Sequence, residues 1–363
     1  MEGLHSEVWR LLHNKRYLIV LDDVWTDDQE NWDKLKPLFG GVVGGSQIII
    51  TTRSQRAANM MNSPTFPYIL EGLSEDACWS LLKQRAFRIG EEKKHPDLLP
   101  IGREIVKKCG GVPLAAKTLE SLMLLKRERR EWLVVQDSEL WNLDKSENGI
   151  LPALKLSYHH LSCCLKRCFS FCSIIPRGYE INKEKLIHQW MAAELLQFGS
   201  QEETPEDIGN DYFNYLISFF QDVKNCDVYG VHVGYKMHDL IYDLAQSRAG
   251  IDSVIMNHGF SPKLCSEVLH SSVVCNSRAS SMIPEASYKA KHLPTLLLFS
   301  NGDFAEVPSK VFSSFECLRE LGLSRCGLVV LDGSIGEHLL SVRYLNLSHT
   351  HIKELPCSIE NLR

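Results

Sequence analysis

Along the chain the apolar residues change period several times, and each change predicts a different kind of element. Glu2 to Leu12 set Leu4, Val8, Leu11 and Leu12 at helical spacing, and Asn14-Lys15 ends that pattern ahead of the continuous run Tyr17-Leu18-Ile19-Val20-Leu21. A short apolar run without polar alternation predicts a buried strand of a parallel sheet. Asp22-Asp23-Val24-Trp25 follows, then a polar, tryptophan-bearing helical stretch to Phe39, then Gly40-Gly41 and Gly44-Gly45, then a second apolar run from Gln47 to Thr52. Strand, helix, strand predicts an α/β sheet.

From Leu73 to about Trp141 the spacing turns helical. Ser74 with Asp76 opens one predicted helix, Pro100 to Lys108 forms another and Pro113 to Leu125 a third, which together make a helical subdomain. Further on, the aromatic stretch Tyr212 to Phe220 leads to Val228 through Val233, which alternates like a hairpin, before Met237 to Gln246 returns to helix. Helices followed by a small β wing predict a winged helix. Beyond about Gly250 the sequence is serine-rich and weakly periodic, with Pro262, Pro284 and Pro294, and is read as a connecting segment. A repeat then sets in: Leu318, Leu321 and Leu323 recur as Val342, Leu345 and Leu347, each 24 residues on, with Leu293, Leu296 and Leu298 one unit earlier. That period lies within the roughly 20 to 29 residues of leucine-rich repeats. The frame points the leucine set inward and puts Arg319, Glu320, Gly322, Arg343, Tyr344 and Asn346 on an exposed concave face, a surface for clamping another module or meeting a partner.

Length changes the picture first, because 363 residues exceed one ordinary compact domain and two to four packing units are expected. With 44% hydrophobic and 23% charged residues the chain has the balance of a soluble globular protein. A formal net charge of -5 gives no field to gather nucleic acid or an anionic bilayer. No stretch approaches the roughly 20 apolar residues of a membrane span, and the first residues have no uninterrupted apolar core of a signal peptide. The 12 cysteines show no paired CxxC modules and are read as reduced thiols. Cys163, Cys164, Cys168 and Cys172 near His159 and His160 invite a zinc reading, but buried core thiols fit Cys168 and Cys172 better, since they lie four apart on one helix face.

Candidate chemistry begins where the first apolar run ends in two carboxylates. Asp22 and Asp23 at a strand terminus are placed as a Walker B strand places an acid beside magnesium-nucleotide, although a turn-capping aspartate fits the same residues. Thr51-Thr52-Arg53 closes the next strand with hydroxyls and a guanidinium suited to a terminal phosphate, and a plain polar loop entry fits as well. Gly111 to Thr118 imitates a phosphate loop except that Ala116 replaces the second glycine, and it follows a charged helix instead of a strand.

Five segments in order carry a resemblance: Lys15 to Trp25, Gly45 to Arg53, Cys109-Gly110-Gly111-Val112-Pro113-Leu114-Ala115, Cys168 to Pro176 and Met237-His238-Asp239. They resemble successive motifs of the NB-ARC module of plant disease-resistance proteins, the nucleotide-binding leucine-rich-repeat receptors. Trp25 resembles the non-TIR branch, whose members usually carry a coiled coil upstream. The resemblance implies a multidomain chain: residues 1–71 as the C-terminal part of an α/β nucleotide-binding subdomain, 72–150 as a helical subdomain, 151–250 as a winged-helix subdomain, 251–290 as a linker and 291–363 as the first leucine-rich repeats.

The same resemblance implies roles. Asp22 and Asp23 become the catalytic pair, Asp22 holding magnesium with the nucleotide and Asp23 positioning the attacking water. Arg53, Gly111, Pro113, Leu114 and His238 become nucleotide-binding residues, with Arg53 sensing the terminal phosphate, Pro113 packing near the adenine and His238 contacting the ADP β-phosphate. Met237 and Asp239 become the switch lock of the winged helix. The implied cofactor is ADP or ATP with Mg2+, and the implied function is an ADP/ATP-dependent molecular switch in cytoplasmic plant defence. Implied partners are a pathogen effector or guarded host protein meeting the repeats, and related receptors through self-association, with no nucleic acid and no transmembrane segment. The family's phosphate loop lies well ahead of the Walker B strand, and only a short segment precedes Tyr17. The expectation is therefore a truncated chain whose phosphate affinity and slow ATPase activity are largely lost, with an open sheet edge and a solenoid that stops mid-repeat at Arg363. The rival expectation is a nucleotide-free interaction fragment. A winged-helix DNA binder is disfavoured by the acidic balance and by the absence of a basic helix around Glu184 to Met191.

Overall fold

The first apolar run forms strand β1 (Leu18–Leu21) and the second forms β2 (Gln47–Ile50), paired in parallel with Leu18 opposite Gln47 and Leu21 opposite Ile50. This computed structural model describes residues 7–8, 10–24, 32–33, 37, 45–61, 66–87, 91–142, 151–197, 203–227, 230–257, 267–275, 283–300 and 304–362. The chain falls into two units, Met1–Glu71 and Gly72–Arg363. In the first, helix α1 (Gln55–Met60) follows β2, capped by Ser54, whose hydroxyl accepts from the Ala57 amide. The parallel pairing is as expected, but burial of β1 is not: Leu18 is 62% and Val20 58% exposed. Backbone pairing needs only the neighbouring strand, whereas burial needs side chains packed on both faces, and among the described residues of this unit only Trp32 and Ala57 are buried. Trp25 and most of the stretch to Phe39 lie outside the described residues.

In the second unit five helices come first: α2 (Glu75–Ala86), α3 (Leu98–Lys108), α4 (Pro113–Leu124), α5 (Arg129–Gln136) and α6 (Pro152–His159). Ser74 caps α2 by accepting from the Ala77 amide, and Pro113 occupies the first turn of α4, where its missing N–H costs nothing. Their apolar stripes meet in a core built on Leu82, Ile105, Leu119, Met123 and Trp132. Each such buried side chain contributes roughly 1.5–3 kcal/mol.

A winged helix follows, made of α7 (Cys163–Phe171), α8 (Lys183–Ala192), α9 (Pro205–Leu216), the antiparallel hairpin β3 (Phe220–Asp227) and β4 (Gly230–Met237), and α10 (Asp239–Ala249). The tip at residues 228–229, where the hairpin reading began, lies outside the described residues. Phe169, Phe171, Trp190, Phe213, Phe219 and Phe220 fill this core, with Phe213 stacked on Phe220 at a ring separation of 5.4 Å. Cys168 and Cys172 are buried, free thiols within it, and burial pushes both well above the ordinary thiol range.

Five parallel strands complete the unit in chain order: β5 (Ser253–Asn257), β6 (His270–Val274), β7 (Thr295–Phe299), β8 (Glu320–Gly322) and β9 (Tyr344–Asn346). The short helices α11 (Ser309–Ser314) and α12 (Ile335–His338) lie on the return side. The linker assigned to residues 251–290 is thus corrected, because it holds the first two strands of the sheet. Its serines misled: Ser253, His270, Ser271 and Ser272 are polar strand residues buried in the assembled unit. On the inner side Leu318, Leu321, Leu323 and Val342 are buried as the repeat frame requires, while Leu345 and Leu347 are half-buried.

Candidate functional site

The strand ends of the first unit bring the predicted acids together with the Thr-Thr-Arg segment. The Thr51 hydroxyl donates to Asp22 Oδ1 and accepts from the Asp23 amide at 2.8 Å. Arg53 grips Asp23 with two parallel bonds, Nε to Oδ1 at 3.1 Å and a terminal nitrogen to Oδ2 at 3.0 Å. Fork-to-carboxylate geometry of this kind fixes orientation as well as charge. Asp23 sits at φ 52°, a left-handed conformation that aspartate tolerates better than most residues and that concentrates at functional sites. The Thr52 hydroxyl donates to the Val24 carbonyl at 2.6 Å and accepts from the Ser54 amide, tying the second strand end to the first. The cluster therefore presents one carboxylate held by a hydroxyl and one neutralised by a guanidinium.

The other predicted residues lie in the second unit. Gly110 and Gly111 have φ of +61° and +77°, and a Cβ on Gly111 would stand 2.9 Å from the Leu73 carbonyl oxygen. Gly111 accepts the Leu73 amide at 2.8 Å, so this glycine lets the chain entering α2 approach the turn before α4. Pro113 is exposed and Leu114 packs against the winged-helix core. In the imitation phosphate loop, Lys117 donates to the Phe220 carbonyl at 3.0 Å and Thr118 to the Leu114 carbonyl at 3.0 Å. Lys117 thus ties the helical subdomain to the winged helix, while Thr118 bonds back within its own helix, and both are committed to protein partners.

At the mouth of α10, Met237 is buried, and His238 caps the helix with Nδ1 accepting from the Leu240 amide at 3.2 Å. With Nδ1 an acceptor, the neutral ring carries its proton on Nε2. Asp239 pairs with Arg177 at 3.1 Å, and the same guanidinium reaches Asp243 and lies 4.8 Å above the Tyr242 ring. Arg177 and Asp243 were not singled out from sequence. The available signals were the arginine directly after Pro176 and the i, i+4 spacing of Asp239 and Asp243 on a predicted helix.

The winged helix also covers the strand face that the repeat frame put in solvent. Register partners Ser253, His270, Thr295, Glu320 and Tyr344 form a polar row across five strands. Glu320 is 0% exposed and Gly322 is buried too, correcting their expected exposure. The cause is tertiary: α8 packs on β9, His188 lies 5.8 Å from the Tyr344 ring and Lys185 donates to the Ser348 hydroxyl at 3.0 Å. Just beyond α8, Glu194 at φ 55° splits its carboxylate between Arg343 at 2.6 Å and Arg319. Glu194 was invisible in sequence because its partners lie 125 and 149 residues away.

Among known proteins, the family model for the NB-ARC domain matches residues 2–92, and that for the disease resistance protein winged helix domain matches residues 174–245. Putative disease resistance protein RGA1 of Solanum bulbocastanum is 41% identical over 95% of this chain and 32% of its own length. Disease resistance protein RGA2 of the same species is 47% identical over 67% of this chain and 25% of its own. The putative disease resistance RPP13-like protein 1 of Arabidopsis thaliana is 33% identical over 94% of this chain and 32% of its own. The chain thus spans about a third or less of the length of these relatives. A solved signal transduction ATPase with numerous domains, bearing a tetratricopeptide repeat sensor, from Pyrococcus horikoshii has a TM-score of 0.37 at 14% identity over 69% of this chain and 30% of that one, too slight a likeness to carry weight. No helix among the described residues is long and apolar enough to cross a membrane.

Proposed function

The chain belongs to the plant disease-resistance proteins that carry an NB-ARC domain and a winged helix, and on that premise we propose that it works as part of an ADP/ATP-dependent switch in defence. The observation that carries this reading is the strand-end cluster, where Asp22 is held by Thr51 and Asp23 by Arg53 at the ends of two adjacent parallel strands. A magnesium-bound nucleotide would bring terminal-phosphate charge with its metal. Asp22 suits the metal through the oxygen that Thr51 leaves unengaged. Arg53 would exchange the Asp23 carboxylate for a terminal phosphate, and Asp23, once released, would orient a water. In the winged helix, the Nε2 proton of His238 suits a phosphate oxygen, and Arg177 keeps Asp239 and Asp243 from repelling each other, so that α10 holds its position.

In the same proposal the domain bounds are those drawn from the sequence, save that the leucine-rich repeats begin before residue 291. Glu194 with Arg319 and Arg343 is the latch that holds the repeats on the winged helix at rest. A pathogen effector or guarded host protein meeting the repeats in the cytoplasm would compete with that latch.

Calorimetry of the 363-residue chain with ADP and with ATP, with and without Mg2+, tests the reading beside Asp22→Asn and His238→Ala. Weaker ATP binding in the first variant and weaker ADP binding in the second are expected, and affinities that neither change touches would refute the site. A second reading, action through protein contacts alone, is favoured by the exposure of Leu18, Val20, Ile48 and Ile49 on the strands of the first unit. It requires that neither nucleotide bind.

A further inference from the structure

A cleft of about 210 Å³ opens where the winged helix meets the first two strands of the sheet. Lys166 and Arg167 line it from α7, Arg248 from the last turn of α10, and Ser253 and His270 from β5 and β6. Lys166 and Arg248 both lie against the Tyr158 ring, at 5.7 and 5.5 Å from its centre, so one aromatic ring holds two cations at the cleft. Among the described residues none of the three cations has a carboxylate within ion-pair distance, whereas Arg85, Arg103, Arg127, Arg177 and Lys310 elsewhere in this unit each have one. The cleft carries a single acid, Asp252, so three cations leave two positive charges in excess.

Like charges gathered on a low-dielectric wall repel one another, and an anion that fills the gap relieves the repulsion. The floor adds no negative charge: His270 is buried edge-on against Phe171, at 4.9 Å. Burial, reinforced by the Arg167 charge, holds its imidazole down at about 4, so the ring is neutral near neutral pH. Ser170 and Ser253 add hydroxyl donors at the wall. The volume is below the roughly 300–1,000 Å³ of drug-sized ligand pockets, which fits a headgroup better than a whole nucleotide.

We propose that this cleft binds the phosphate group of a small phosphorylated metabolite, gripped by Lys166, Arg167 and Arg248, and that occupancy fastens the winged helix to β5 and β6. A phosphate monoester is mostly a dianion near neutral pH, with a second pKa of about 6, and so matches the charge excess. Its oxygens suit the planar forks of two arginines. The site stands at the opposite end of α10 from His238, and its occupant would strengthen the docking of the winged helix on the sheet from that end.

The test is thermal melting of the 363-residue chain at constant ionic strength, titrated with inorganic phosphate, with glycerol 3-phosphate and with glycerol. A saturating rise in Tm of about 2–4 °C at tenfold excess over half-saturation is expected with a phosphate compound and none with glycerol. A larger effect of glycerol 3-phosphate identifies an organic carrier, and an equal effect of inorganic phosphate identifies the free ion; both support the site. The double variant R167Q/R248Q should melt as the parent chain does in chloride and lose the response, whereas Lys107→Gln, exposed on α3, should keep it. A rise shared by the double variant, or one that grows without saturating as a general salt effect does, would overturn the proposal. So would loss of the response in His238→Ala with its retention in the double variant, which would put the phosphate at the nucleotide site.

Discussion

Replacing Glu320 by glutamine should flatten the pH dependence of the sheet's stability. This carboxyl is 0% exposed in the middle of the polar row. Gln189 of α8 and Thr295 of β7 are its polar neighbours, yet no bond to either carboxyl oxygen meets ordinary hydrogen-bond geometry. Thr295 is turned instead toward His270 Nδ1 at 3.2 Å, and the nearby cations Arg319 and Arg343 are engaged by Glu194. Burial pushes the Glu320 carboxyl up to about 8, against an unfolded-state value near 4.3. Below about 4.3 both states hold the proton and the group is neutral to stability. Between the two values the unfolded chain has released the proton and the folded chain has not. Stability therefore falls as pH rises, by about 1.4 kcal/mol per unit, until the folded group ionises as well. From pH 5 to pH 8 the loss comes to about 4 kcal/mol for this one group. Amide exchange at Glu320–Gly322, read by mass spectrometry at pH values across that span and corrected for intrinsic exchange rates, follows opening of this sheet without assuming that the whole chain unfolds in one step. The native chain should lose protection faster than Glu320→Gln as pH rises, and the variant should be the better protected at pH 8. Parallel profiles for the two proteins would refute the assignment of a neutral carboxyl to this position.

Three further expectations follow from contacts already described. Glu194→Ala should cost at most about 1 kcal/mol in global stability, because its ion pairs are half-exposed, but it should speed amide exchange in α8 and at Tyr344–Asn346; unchanged exchange there would remove the latch. Gly111→Ala should destabilise by about 1–3 kcal/mol in denaturant unfolding, since a Cβ would meet the Leu73 carbonyl at φ +77°, and a cost below 0.5 kcal/mol would mean that the turn gives way freely. Arg177→Ala leaves Asp239 and Asp243 facing each other on α10, so exchange along that helix should rise more than in Arg177→Lys, and equal effects of the two changes would show that charge is not what matters there.

In the proposed switch, the sheet face under the winged helix is the one that would open. That face is mixed: Ser253, His270, Thr295, Glu320 and Tyr344 form a polar row across it, while Leu297 and Phe299 of β7 pack against the winged-helix core. On the apolar side of the same sheet Leu318, Leu321 and Leu323 are fully buried.

By itself the sequence determined the local elements and the order of the modules. Apolar runs placed β1 and β2, Ser74 and Pro113 marked helix starts, the 24-residue recurrence put β8 and β9 in register, and Met237-His238-Asp239 marked the start of α10. These follow from periodicity, capping and turn chemistry, all of which act over a few neighbouring residues. Only the tertiary structure decided which faces are covered. It buried Glu320 beneath α8 and Gly322 against Leu297, brought Glu194 to two arginines, gave Arg177 to Asp239 and Asp243, and turned a serine-rich segment into strands β5 and β6. The reason is that polarity along a strand is the same whether water or another module lies on it, and the partner that settles the matter stands a hundred or more residues away in the chain.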